Sequence, residues 1–91
     1  MEQEFEWDRD KRLRNIAKHG VDFLRIRQLF DGRPIVITTS SRNGEQRFAT
    51  TGKLGEKHYT VIWTERGDTI RLISARRARH AEERTYREVH G

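Results

Sequence analysis

The chain contains no cysteine. Disulfides, thiolate nucleophiles and cysteine-built zinc sites are thereby excluded, and the lack suits a reducing compartment. Apolar residues are scarce as well, at 33% of 91 residues. The core must be thin, and a chain of this size is marginally stable alone. No apolar run approaches the ~20 residues that span a bilayer. The start, Met1-Glu2-Gln3-Glu4, is acidic and lacks the basic opening of a secretory signal. A soluble, cytoplasmic protein is expected, with one domain over 1–91. No Gly-x-Ser-x-Gly elbow is present, and Gly52-Lys53-Leu54-Gly55 opens no helical pattern as a phosphate loop would. His19, His58, His80 and His90 show no metal-ligand spacing, so neither a metal nor a cofactor is expected.

What is abundant is charge. Charged residues make up 36% of the chain, 19 basic against 14 acidic, for a formal net charge of +5. Such a balance favours an anionic partner, of which nucleic acid is the commonest. The segment Ile70-Arg-Leu-Ile-Ser-Ala-Arg-Arg-Ala-Arg-His80 concentrates it, an apolar alternation running into a guanidinium cluster. Guanidinium forks match phosphate oxygens and never lose their charge.

The pattern of elements is βααββββα, an α+β fold with a twisted, mainly antiparallel sheet, two N-terminal helices and one C-terminal helix. Phe5-Glu6-Trp7 alternates as a first strand. Asp8 reads as an N-cap, and Leu13, Ile16, Ala17 and Gly20 fall at helical spacing, which predicts a helix over 9–19 ended by Gly20. Asp22 caps a second helix whose apolar stripe is Phe23, Ile26, Leu29 and Phe30, broken by Asp31-Gly32-Arg33-Pro34. The period then changes to two. Strands are predicted at 35–39, 47–51, 59–63 and 70–75, with Asn43-Gly44 as a hairpin turn and Glu65 to Asp68 as another. Short connections imply an antiparallel meander. The tail from Arg77 to Val89 lacks glycine and proline and predicts a third helix, with Ala78, Ala81, Thr85 and Val89 as its buried stripe.

With metal, serine and thiol chemistry unsupported, a metal-free phosphate chemistry remains. RNA carries its own nucleophile, the 2′-hydroxyl, so a catalyst needs a proton acceptor, a proton donor and positive charge at phosphorus. Arg47, Arg71, Arg76 and Arg77 are the cations on or beside the sheet. Arg47 and Arg71 alternate with apolar neighbours and so point to the solvated face; each either meets phosphate or pairs with a glutamate such as Glu45 or Glu65. His19, Glu45, His58, His80 and Tyr86 are candidates for proton transfer. His19 also reads as a helix-end residue. Trp7 and Trp63 flank apolar strand positions and are expected to fill the core rather than stack bases.

Phe5-Glu-Trp-Asp8, Asn15-Ile-Ala-Lys-His-Gly-Val-Asp-Phe23, Gly44-Glu-Gln-Arg-Phe48, Gly52, Thr64-Glu-Arg-Gly-Asp68, Ile70 to Arg76 and Glu83-Arg-Thr-Tyr86 follow one another along the chain. In that order they resemble the BrnT toxins of bacterial type II toxin–antitoxin systems, and residues 31 to 43 match least. The resemblance implies a RelE-like fold, a ribonuclease that arrests translation, and a BrnA-type antitoxin similar to ribbon-helix-helix proteins. It further implies that operator DNA is bound only through the complex. Carried over by position, Glu45, Arg47, Arg71, Arg76 and Tyr86 are the implied catalytic residues. Lys18 and His19 match as RNA contacts, while Arg77, Arg79 and His80 are assigned to RNA on charge alone. The competing class is a binding module that holds nucleic acid or antitoxin without catalysis.

Overall fold

In a computed structural model describing residues 2–91, the elements follow the order expected; Met1, part of the acidic start, lies outside the described residues. The strands are β1 (Glu4–Glu6), β2 (Ile35–Arg42), β3 (Glu45–Leu54), β4 (Lys57–Arg66) and β5 (Thr69–Arg77). The helices are α1 (Arg9–His19), α2 (Phe23–Ile26), which runs on into a 3-10 turn (Arg27–Phe30), and α3 (His80–His90). No helix among the described residues is long and apolar enough to cross a membrane.

The caps sit where local chemistry requires them. The Asp8 carboxylate accepts from the Asp10 N–H at 3.0 Å, and that of Asp22 from the Leu24 N–H at 3.0 Å. Gly20 closes α1 at φ 68°, its N–H donating to the Ile16 carbonyl. The stripe of α2 holds as expected, with Phe23, Ile26 and Leu29 fully buried and Phe30 packed against them.

The stripe of α1 does not. Leu13 is 51% exposed and Ala17 lies on the surface, while the residue turned inward is Asn15, 7% exposed. The reason is the edge of β5. The sheet order is β1-β5-β4-β3-β2, and β1 pairs in parallel with β5 only at Thr69, Ile70 and Arg71. Beyond that point β5 has no neighbouring strand on its outer side. The Asn15 carboxamide substitutes for one: its Nδ2 donates to the Ala75 carbonyl at 2.8 Å and its Oδ1 accepts from the Ala75 N–H at 3.1 Å. Nδ2 also donates to the Val21 carbonyl at 2.8 Å, tying the helix to the connection that follows it. A polar clamp on unpaired backbone thus overrides the weak apolar stripe.

The four longer strands form the antiparallel meander, each extending beyond its apolar run. Asn43 and Gly44 turn the first hairpin with φ of 53° and 77°, both in the left-handed region that this turn demands. Gly52, just past the strand predicted at 47–51, lies inside β3. A Cβ there would come 2.8 Å from Leu29 Cδ2 and 3.1 Å from Ile35 Cγ2, so the missing side chain lets the 3-10 turn pack directly on the strand. One bulge interrupts β4 and β5: Ile62 pairs with Ser74 and Trp63 with Leu72, leaving Ile73 as the extra residue.

One face of the sheet carries Tyr59, Val61, Trp63, Ile70, Leu72 and Ala75 against α1 and α2. Both tryptophans belong to this core. Trp63 stacks on Phe48 at 4.4 Å between ring centroids, and Trp7 meets Phe23 edge-on at 6.1 Å. α3 lies on the opposite face. It starts at His80, later than expected, because Arg77 and the preceding residues continue β5. None of the stripe assigned to it is buried: Ala81 and Thr85 are exposed and Val89 is 61% exposed. The helix is held by ion pairs and hydrogen bonds instead of apolar burial.

Candidate functional site

On the face opposite α1 and α2, register arranges the side chains in rows across the strands. Thr51, Thr60 and Arg76 form one row, and Ala49, Ile62 and Ser74 the next. The third contains Ser40 paired with Arg47 and Thr64 paired with Arg71, with Glu6 of β1 beside Arg71. Arg42 and Glu45 make the last. Strand spacing places Arg47 and Arg71 two strands apart, about 10 Å between backbones, with buried Thr64 between them. Thr64 is fixed there by its hydroxyl, which donates to the Gln46 carbonyl at 2.8 Å.

Both arginines hold carboxylates. Arg47 reaches Glu45 at 3.4 Å, a loose contact, and Arg71 donates to Glu6 at 2.7 Å. The partner of Arg71 is therefore Glu6 and not Glu65, because the parallel pairing of β1 brings Glu6 alongside. Partly exposed pairs of this kind contribute only ~0–1 kcal/mol, so either carboxylate can be displaced by an anion at small cost. The two guanidiniums share one face, and side chains of this length can reach toward a common phosphate between them.

Arg76 stands two rows away, about 13 Å along the strands. Its guanidinium forks onto Glu82 at 2.7 and 3.0 Å. Glu82 also accepts from the Thr60 hydroxyl at 3.1 Å and from the Arg79 N–H at 2.8 Å, so one carboxylate anchors α3 to the sheet. Hydrogen bonding from Arg76 is the main cause that holds the Glu82 carboxyl down at about 2. A carboxyl depressed in the fold contributes stability that is fully present above its ordinary value near 4.5 and is lost as pH falls toward 2. Urea melts of the protein and of Glu82→Gln are expected to differ at neutral pH and to converge below about pH 4.5. A difference that does not shrink on acidification would show that the pair does not anchor the helix.

Tyr86 belongs with the α3 group. Its ring meets that of His58 edge-on at 4.9 Å and lies 5.0 Å from His90. His58 is 7% exposed and its Nδ1 is 3.8 Å from Glu83, while His90 Nε2 lies 2.8 Å from the Ile35 carbonyl. The implied catalytic residues thus fall into two groups, Glu45, Arg47 and Arg71 on one side and Arg76 with Tyr86 on the other. Among the described residues no hydrogen bond joins α3 to the Arg47 and Arg71 row.

The residues assigned to RNA contacts are scattered. Lys18 and His19 line a cleft between α1 and β5. The Arg77 guanidinium lies 5.8 Å from the Tyr59 ring centroid, on the helix-covered face, away from Arg76. Arg79 caps α3 and His80 begins it, both exposed. Residue-by-residue reading overlooked Thr64, Glu6 and Asn15, whose positions depend on pairing. It also overlooked Lys11 and Arg14, which share the cleft of Lys18 and whose helical spacing was readable.

The family model for BrnT, the ribonuclease toxin of type II toxin–antitoxin systems, matches residues 7–82. The chain belongs to this family. No curated protein matches it. Membership makes it a ribonuclease toxin by family and implies an antitoxin partner and an RNA substrate. The matched span contains Glu45, Arg47, Arg71 and Arg76, together with Lys18, His19, Arg77, Arg79 and His80. Glu6 and Tyr86 fall outside it, at the two ends of the BrnT region.

Proposed function

We propose that residues 1–91 form one toxin domain, a metal-independent endoribonuclease that cleaves RNA in the cytoplasm and thereby inhibits translation. A BrnA-type ribbon-helix-helix antitoxin neutralises it, and operator DNA is engaged only by that complex. The observation that supports the chemistry best is the row in which Arg47 and Arg71 flank Thr64 on the face opposite α1 and α2. In the reaction the 2′-oxygen forms a bond to phosphorus as its proton passes to a base, the role given to Glu45 beside Arg47. The bond from phosphorus to the 5′-oxygen breaks, and that oxygen takes up a proton from solvent water. Arg47 and Arg71, released from Glu45 and Glu6 by the incoming phosphate, stabilise the extra negative charge on the phosphoryl oxygens. Arg76, locked to Glu82, positions α3 and with it Tyr86 at the border of the same face.

Expression without an antitoxin is expected to stop growth. The purified protein is expected to cut RNA in EDTA and to leave 2′,3′-cyclic phosphate ends. Intact RNA across several substrates, with RNA binding retained, would replace this reading by that of a non-catalytic binding module.

A further inference from the structure

We infer that a second nucleic-acid contact lies on the edge formed by α1 and β5. There Lys11, Arg14, Lys18 and His19 hold phosphates of the RNA strand that flank the one cleaved. This rests on the ribonuclease reading above and extends it to the path of the substrate.

Lys11, Arg14 and Lys18 are spaced i, i+3 and i+7 and so share one face of α1. All three, with His19, line a cleft of about 310 Å³ whose other wall includes Ile73 and Ser74 of β5. The three long cations are exposed and, unlike Arg12, Arg33, Arg47, Arg71 and Arg76, none lies within 4.0 Å of a carboxylate. The floor residue Asn15 is neutral, and its amide is committed to backbone groups of Val21 and Ala75. The C-terminal end of α1 carries roughly half a negative charge, which three cations outweigh. The cleft is therefore a concentration of positive charge that internal ion pairs leave unbalanced.

Its position decides in favour of RNA over an acidic protein segment. Ser74 is three residues beyond Arg71 on the same strand, about 10 Å along it, and the bulge at Ile73 bends the strand between them. A single strand seated with one phosphate at Arg71 meets this cleft next as it leaves the sheet. Single-strand binders use such charged grooves to track a backbone without reading its sequence.

The test compares the protein with the double variant Lys11→Gln, Arg14→Gln, both surface positions. Binding of a dodecamer RNA made uncleavable by 2′-O-methylation is followed by fluorescence anisotropy across a salt series, and cleavage of a dinucleotide is measured in parallel. Each lost contact removes ~0.7 from the slope of log affinity against log salt. The variant is therefore expected to show a slope shallower by about 1.4 and binding roughly tenfold weaker near 0.1 M salt. Its dinucleotide cleavage is expected to be unchanged, because so short a substrate does not reach the cleft. An unchanged slope overturns the inference, as does dinucleotide cleavage that falls as far as dodecamer binding. Weaker antitoxin binding with RNA binding intact also overturns it and assigns the cleft to an acidic segment. A wild-type protein that cuts no RNA while the slopes still differ would refute the ribonuclease reading and leave the contact standing.

Discussion

Replacing Arg71 by alanine is expected to lower the rate of RNA cleavage by about two to three orders of magnitude, the usual cost of removing one preorganised charge donor from a transition state. Arg47→Ala is expected to fall in the same range. The two guanidiniums flank Thr64 and in the proposed mechanism act on one phosphate, so their effects should not add. The double variant is expected to be little worse than the weaker single one. Arg71→Lys should recover only part of the loss, because an ammonium restores charge but not the planar fork. Folding provides the control. The pairs with Glu6 and Glu45 are partly exposed, and pairs of that kind are worth ~0–1 kcal/mol. Thermal melts should therefore move little while single-turnover cleavage of end-labelled RNA collapses. Wild-type cleavage in both single variants would remove this row from the mechanism.

How far the sequence could lead is visible in the same residues. That Arg47 and Arg71 face away from the core was legible, because Phe48, Ile70 and Leu72 fix the phase of the two-residue alternation. The caps at Asp8 and Asp22 and the turn at Asn43-Gly44 were legible for a similar reason: each depends on its own few neighbours. Interactions across long separations were not. Glu6 reaches Arg71 over 65 residues through a three-residue parallel pairing that no hairpin signal announces. The same short pairing leaves the rest of the β5 edge bare, which selects Asn15 over Leu13 as the inward face of α1. His58 and Tyr86 were each readable as candidates, but only the docking of α3 makes them neighbours. α3 defeated its stripe because Glu82, fixed by Arg76 and Thr60, holds it by charge rather than by apolar burial. Arg76 lies five residues beyond Arg71, a spacing that strict alternation puts on opposite faces; only the bulge at Ile73 brings both to one face, and alternation could not show that.

The position with the largest expected effect on stability is Asn15. Its side chain makes three hydrogen bonds, to both backbone groups of Ala75 and to the carbonyl of Val21, and is 7% exposed. Asn15→Leu keeps the approximate size but leaves those three backbone groups without a partner. Each orphaned buried group costs ~1–3 kcal/mol, so a loss of about 3 kcal/mol or more is expected from urea melts, a large share of the ~5–15 kcal/mol typical of a domain. Asn15→Asp separates the contributions. An ionised carboxylate still accepts from the Ala75 N–H but faces two carbonyls to which it cannot donate, and burial raises its pKa. Protonation restores a donor for one of them. With a carboxyl raised in the fold, the stability it contributes is present at low pH and is lost as pH rises through the folded value. Asn15→Asp should therefore gain relative stability on acidification, opposite in sign to the loss expected at Glu82. Because α1 carries Lys11, Arg14 and Lys18, loosening the clamp should also abolish the RNA contact inferred for them at lower urea than unfolds the sheet. A change within ~0.5 kcal/mol for Asn15→Leu would mean that water reaches the β5 edge and satisfies it, and the clamp would then have no structural role.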